Sequence, residues 1–201
     1  MARAIMDVPC GMYVFRLTCL TLKTIGVPFF LLQGTALGAY RDNGFTPTER
    51  DIDLGFLQED FDQFITTMVS RFSALDFDCR VVSKPFSRPR ALKLVCHKFS
   101  KPIKVDLCAY QRFGNKRFCS SNLEPYSIVH PADVLEPPYY QTVMHSVKCN
   151  LPSPVEKYLR HEYGPNWQTP IDTHISTSRI YNFRRDNGIT DDFLDVEKQP
   201  V

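Results

Sequence analysis

Residues 29–56, FFLLQGTALGAYRDNGFTPTERDIDLGF, decide how the rest of this chain folds. The apolar run over 29–32 predicts a buried strand, which Gln33-Gly34-Thr35 interrupts and a small-residue segment over 36–39 follows. The stretch closes on Asp51-Ile52-Asp53, where one apolar residue separates two carboxylates. Side chains at positions i and i+2 of a strand point to the same face. We therefore expect Asp51 and Asp53 to project together while Ile52 faces the core.

Two carboxylates that share a face repel each other, and each raises the pKa of the other. A hard divalent cation removes this conflict, and Mg²⁺ held by carboxylates and substrate phosphates is a common arrangement. A solvated strand face that carries two acids is the alternative interpretation, and for an isolated Asp-x-Asp it is the more frequent one. The Gly34-Thr35 pair upstream of Asp51 and Asp53 favours the metal site.

Composition places the chain among ordinary globular proteins. Of its 201 residues, 43% are hydrophobic and 23% are charged, so we expect one domain with its own core, or one domain plus an appendage. A net charge of +2 without a long Lys or Arg run argues against a nucleic-acid partner. No apolar stretch approaches the roughly 18 residues of a membrane span, so membrane association would need a segment that this sequence does not show.

The seven cysteines contain no Cys-x-x-Cys pair, which argues against a structural zinc site. Cys96 and Cys108 lie in apolar, strand-like runs and are predicted to be buried free thiols. One or two disulfides stay open as an alternative in an oxidising compartment.

Two long helices and a third near the end of the chain follow from the hydrophobic periodicity. An apolar stripe at three- and four-residue spacing predicts a helix over 7–25, which Gly26 and Pro28 end. A second amphipathic helix is predicted to begin at Glu59 and Asp60. The third is predicted over 153–163, with Ser153 as the N-cap of a capping box.

Strands are predicted over 77–82, 91–97 and 102–109. The last one carries Asp106 between apolar neighbours, where a lone charge is costly. Pairing of Asp106 with a neighbouring cation such as Lys93 or Lys104 is one explanation. The other is that Asp106 is a third carboxylate that completes a metal site with the Asp-x-Asp.

A strand that ends in Gly-Thr, a helix, a strand with Asp-x-Asp and a further strand with one Asp resemble the nucleotidyltransferase fold. Residues 34–56, GTALGAYRDNGFTPTERDIDLGF, resemble the signature of the LicD family. Residues 151–170, LPSPVEKYLRHEYGPNWQTP, are similar to the closing segment of that family. The family includes bacterial phosphocholine transferases and the animal fukutin and fukutin-related proteins.

The resemblance implies an α/β (α+β) domain with a small mixed sheet and flanking helices. We expect this nucleotidyltransferase-like domain over residues 1–170, with a polar extension over 171–201. The implied activity is transfer of a phospho-alcohol, such as phosphocholine or ribitol phosphate, from a CDP-linked donor to a hydroxyl of a glycan or glycoprotein. Eukaryotic members act in the Golgi lumen, so a secretory-pathway location is implied and a cytoplasmic one is the alternative.

The resemblance also implies roles for individual residues. Mg²⁺ or Mn²⁺ would be held by Asp51, Asp53 and Asp106, with Asp106 as the third ligand or as the general base. Gly34 and Thr35 would lie against the donor phosphates.

Two arginines lie between the Gly34-Thr35 pair and Asp51 in the sequence. Arg41 would also position the donor phosphates, or it would pair with Asp42 or Glu49. Many members have an acidic or aromatic residue just before the Asp-x-Asp, and here Thr48-Glu49-Arg50 stands there. Arg50 would bind a donor phosphate or weaken the metal site.

Two other functions stay open at this point. Within the same fold, the enzyme would transfer an NMP group itself. In a different class of protein, the chain would be a non-catalytic relative that binds a glycan or a protein, with a purely structural acidic cluster.

Overall fold

The computed structural model describes residues 5–83, 90–120 and 127–170. The polar extension expected over 171–201 lies outside the described residues, so the predicted boundary near residue 170 stays a prediction. Five α-helices are described: α1 Val8–Ile25, α2 Gln33–Leu37, α3 Gln58–Ser73, α4 Ala132–Leu135 and α5 Val155–Tyr163. A π-helical segment, Gly38–Asp42, follows α2 directly.

Nine strands are described, and seven of them form one sheet. Their bounds are β1 Phe30–Leu31, β2 Ile52–Leu57, β3 Phe77–Val82, β4 Ala91–Cys96, β5 Ile103–Phe113, β6 Lys116–Ser120, β7 Ser127–Pro131, β8 Tyr140–Met144 and β9 Val147–Leu151. The sheet runs β1-β2-β5-β4-β3, with β6 paired to β5 and β7 to β6. Strands β8 and β9 form a separate hairpin.

The sheet is mixed, because β2 and β5 are parallel while the other pairs are antiparallel. Strand β2 lies between β1 and β5, and its core-facing residues Ile52 and Leu54 are fully buried. Their register partners on β5, Val105 and Leu107, are fully buried as well. This mixed sheet with flanking helices confirms the predicted fold class.

Helix α1 forms where the sequence predicts it. The Asp7 carboxylate accepts a hydrogen bond from the Cys10 N–H at 3.0 Å, which satisfies a donor at the helix N-terminus. Gly26 ends the helix in the left-handed conformation, with φ of 82°. Within the described ranges, no helix is both long enough and apolar enough to cross a membrane.

Two element boundaries differ from the prediction. The capping box at α5 is wrong: the helix begins at Val155, its N-cap residue is Pro154, and no side chain caps it. Ser153 lies one position too early, and its N–H donates instead to the Val134 carbonyl at 3.0 Å. Strand β5 runs beyond residue 109, because its polar end pairs with β6.

All seven cysteines lie in the described ranges and are free thiols. Cys96 is fully buried, as predicted, whereas Cys108 is only partly buried.

The segment between the π-helical turn and β2 packs directly against Gly38. A Cβ added to Gly38 would collide with the Gly44 carbonyl oxygen and would lie 3.0 Å from the Thr46 nitrogen. Asn43, and not Gly44, takes the left-handed conformation of this turn, with φ of 55°. The turn predicted at Asn43-Gly44 is therefore present, but the glycine that the packing requires is Gly38.

We predict that Gly38→Ala destabilises the protein by about 2 kcal/mol, because the methyl group meets backbone atoms that cannot move independently of the loop. The matched control is Gly44→Ala, whose Cβ would lie at an ordinary 3.5 Å from the His145 ring. We expect that control to change stability by less than about 0.5 kcal/mol. Urea denaturation of the two variants measures the difference, and equal stabilities would contradict the packing described.

Candidate active site

Three carboxylates converge where the chain enters β2. One oxygen each of Glu49, Asp51 and Asp53 lies within 4.8 Å of the other two. Asp53 belongs to β2, and the other two acids lie just before it. Glu49 is 8% exposed and Asp53 is 7% exposed, so two of the three acids are nearly removed from water.

The structure brings Asp51 and Asp53 together as the sequence predicts, and it adds Glu49, which the sequence reasoning missed as a site residue. Glu49, Asp51 and Asp53 stand at i, i+2 and i+4, so the spacing of the Asp-x-Asp extended by one step would have found it. The local turn explains the convergence. The Glu49 N–H donates to the Thr46 carbonyl at 3.1 Å, and the Thr46 hydroxyl lies 3.4 Å from Glu49 Oε2.

Asp106 lies beside this acid cluster without being one of its three members. It is the register partner of Asp53 across the parallel β2–β5 pair. On its other side, Lys93 of β4 is in register with it, and Lys93 Nζ lies 2.9 Å from Asp106 Oδ2. The pairing of Asp106 with a neighbouring lysine is confirmed. Its role as a metal ligand or a base stays a prediction.

The turn at 33–35 contacts the cluster through two residues. Thr35 is fully buried, and its Oγ1 accepts a hydrogen bond from the Asp53 N–H at 3.0 Å. A Cβ added to Gly34 would lie 2.5 Å from Glu49 Oε2, so a glycine lets the Glu49 carboxylate approach the turn. Both residues thus hold the acids, and their predicted contact with donor phosphates stays a prediction.

The two arginines occupy different surroundings. Arg41 donates to both carboxylate oxygens of Asp42, at 2.8 Å from Nε and 2.7 Å from Nη2, and to the Trp167 carbonyl at 3.2 Å. Arg50 is partly buried, and its backbone N–H donates to the Glu49 carboxylate. The pairing of Arg41 with Asp42 is therefore present, and contact of either arginine with a donor phosphate stays a prediction.

Burial and mutual repulsion disfavour the ionised forms of Glu49 and Asp53. Burial, followed by the charge of Asp51, raises the pKa of Glu49 to about 7. Burial, followed by the charges of Asp51 and Asp106, raises the pKa of Asp53 well above its usual range. Carboxylate oxygens in this arrangement fit a hard divalent cation, which would offset their repulsion.

A mixed sheet whose parallel pair carries Asp53 and Asp106, with two more acids just before β2, defines a nucleotidyltransferase-type domain. Residues 26–153 match the family described as LicD/FKTN/FKRP, nucleotidyltransferase domain, and the chain belongs to this family. The predicted family resemblance is confirmed.

The curated relatives are transferases of this family. The human protein named ribitol-5-phosphate transferase FKTN is 42% identical over 164 residues, which cover 80% of this chain and 33% of the human protein. The Mus musculus protein of the same name is 24% identical over 164 residues, with the same shares. The chain therefore spans about a third of the length of these relatives.

A solved structure is also similar to this chain. It is the crystal structure of ANT(2″)-Ia in complex with adenylyl-2″-tobramycin, with a TM-score of 0.49 and 12% identity. The similarity covers 92% of each chain.

We predict that metal-free protein loses stability as the pH rises from about 5 to 8. Glu49 ionises near pH 7 in the folded chain, against an ordinary value of 4.5, so between these values the folded state binds more protons. The effect of this one group amounts to at most about 3 kcal/mol. Glu49→Gln should remove that part of the pH dependence.

Urea denaturation at pH 5 and pH 8 in EDTA measures this effect. The matched control is Glu156→Gln, because Glu156 is an exposed glutamate. It should keep the wild-type pH dependence. A Glu49→Gln variant with the same pH dependence as the wild type would contradict the burial of that charge.

Proposed function

We propose that this chain carries the catalytic site of a metal-dependent transferase, which moves a phospho-alcohol from a CDP-linked donor to a hydroxyl of a glycan. The observation that carries the proposal is the cluster of Glu49, Asp51 and Asp53 at the Asp-x-Asp of a LicD-family domain. The name ribitol-5-phosphate transferase, borne by the FKTN relatives, supports ribitol phosphate as the transferred group.

Asp51 and Asp53 would hold Mg²⁺ or Mn²⁺, and Glu49 is added to them because its carboxylate shares their site. Carboxylate oxygens are the ligands that both cations prefer. A cation held by these carboxylates would supply positive charge that offsets the negative charge developing during transfer.

Asp106 would act on the acceptor. It stands in register with Asp53, and Lys93 fixes its carboxylate from the opposite strand. We assign it the role of general base, in place of the third metal ligand. The acceptor oxygen would bond to the β-phosphorus, the bond to the α-phosphate oxygen would break with release of CMP, and the hydroxyl proton would pass to Asp106.

The donor phosphates would lie against the turn and the arginines. The backbone at Gly34 and Thr35 borders the acid cluster, and Arg50 follows Glu49 in the chain. Arg41 would bind a phosphate in addition to Asp42, because a guanidinium has five N–H donors. Family membership supports a glycan or glycoprotein acceptor and a location in the secretory pathway, such as the Golgi lumen.

We predict that the wild-type protein with Mg²⁺ or Mn²⁺ releases CMP from CDP-ribitol or CDP-choline in the presence of an acceptor glycan. Asp53→Asn should lower this release by at least about 100-fold, more than the usual loss from a residue that only supports a ligand. The isosteric amide should leave the fold intact, which circular dichroism checks.

The matched control is Asp78→Asn, because Asp78 is 79% exposed and pairs with His97. It should retain wild-type turnover. Transfer that persists in Asp53→Asn would contradict the assignment. Release of pyrophosphate from a nucleoside triphosphate would show that the chain transfers an NMP group instead.

A further inference from the structure

Helix α5 contacts the turn beside the acid cluster through one hydroxyl group. Tyr158 is fully buried, and its Oη accepts a hydrogen bond from the Gln33 N–H at 2.8 Å. The two residues are 125 positions apart in the chain, so this contact ties the closing helix to the start of α2.

The Gln33 N–H needs such a partner. It belongs to the first residue of α2, whose N-cap residue Leu32 provides no side-chain hydrogen bond. Gln33 also has φ of 45°, in the left-handed region that residues other than glycine rarely adopt. A strained residue of this kind persists only where its surroundings fix it, and the Tyr158 hydroxyl is a contact that does so.

The same segment holds both backbone polar groups of Asp53. The Asp53 N–H donates to Thr35 Oγ1 at 3.0 Å, and the Leu32 N–H donates to the Asp53 carbonyl at 3.0 Å. A shift of the turn would therefore move the Asp53 backbone, and the carboxylate would move with it. The order of contacts runs from Tyr158 through Gln33 and Thr35 to Asp53.

The tyrosine ring is itself held in place by the buried His130. The two ring centroids are 5.2 Å apart, and His130 Nε2 lies 2.8 Å from Glu162 Oε1. Tyr110, also fully buried, lies 5.8 Å from the same imidazole. Its hydroxyl is buried with no hydrogen-bond partner in the described part of the chain. Tyr110 is thus a buried tyrosine beside the same histidine without the contact to the turn.

We propose that Tyr158 is a positioning residue of the metal site: its hydroxyl fixes the turn at 33–35 and, through Thr35, the direction of the Asp53 carboxylate. The inference rests on the proposed function, because the direction of the Asp53 carboxylate affects activity only if the acid cluster binds a metal. Substitution of a residue that supports a metal ligand in this way commonly lowers metal affinity by 10- to 100-fold.

The test compares Tyr158→Phe with the matched control Tyr110→Phe, each of which removes one buried hydroxyl. Mn²⁺ affinity is measured by titration followed by electron paramagnetic resonance, and folding is checked by thermal unfolding. We expect Tyr158→Phe to bind Mn²⁺ about tenfold more weakly than the wild type, with slower turnover of the CDP-linked donor. Tyr110→Phe should match the wild type in Mn²⁺ affinity and in turnover.

A second variant, Thr35→Val, interrupts the same contacts closer to Asp53 and tests the proposal even if Tyr158→Phe folds poorly. It should weaken Mn²⁺ binding as well. The double variant should lose less affinity than the sum of the two single losses, because both changes break one connected series of contacts.

The possible failures are distinguishable. A wild-type protein that binds no Mn²⁺ would overturn the proposed function and this inference with it. Wild-type binding with unchanged affinity in a folded Tyr158→Phe would overturn the inference alone. Equal losses in Tyr158→Phe and Tyr110→Phe would overturn it too, since the effect would then be one of general packing.

Discussion

Repulsion among three carboxylates in one nearly buried site is the constraint on which this structure depends. Glu49 and Asp53 are largely removed from water, and with Asp51 they hold their oxygens within 4.8 Å of one another. In the absence of a cation such a cluster destabilises the fold, as the raised pKa values of Glu49 and Asp53 indicate. Strongly shifted carboxylates of this kind concentrate at functional sites.

The fold opposes this repulsion by fixing the backbone on each side of the acids. Strand β2 lies between β1 and β5, so Asp53 belongs to the interior of the sheet. The Asp53 N–H donates a hydrogen bond to Thr35 Oγ1, and the Asp53 carbonyl accepts one from the Leu32 N–H. Gly34 admits the Glu49 carboxylate, and Gly38 admits the loop that leads to it. Residues 34–56 therefore depend on close approaches to the backbone at Gly34 and Gly38.

Features set by neighbouring residues could be predicted from the sequence. Helix α1 begins and ends where its Asp7 cap and Gly26 place it, because both signals act within one helical turn. The shared face of Asp51 and Asp53 follows from strand alternation in the same way. The family resemblance added what local rules do not supply, namely a nucleotidyltransferase-like domain with a small mixed sheet and flanking helices.

The remaining features depend on contacts between distant segments. The Glu49 carboxylate is nearly buried because it lies against Gly34, which is distant in the chain. Lys93 and Lys104 were both candidate partners of Asp106, and the register of β4 on β5, which no single strand reveals, selects Lys93. Tyr158 is buried on α5 with Val155 and Leu159, and its sequence context indicates packing or a place in the nucleotide pocket, but no hydrogen bond to the turn. Its hydroxyl has a second role because the fold brings Gln33 to it.

The most direct test of the central claim is the position of a bound metal ion. Anomalous X-ray scattering from crystals grown with Mn²⁺ and CDP should give one peak at about 2.0–2.2 Å from oxygens of Asp51 and Asp53, with Glu49 at the same ion and the CDP phosphates beside it. In that result, Asp106 stays paired with Lys93 and outside the coordination sphere. A site without a peak at saturating Mn²⁺, or a peak away from these carboxylates, would contradict the account.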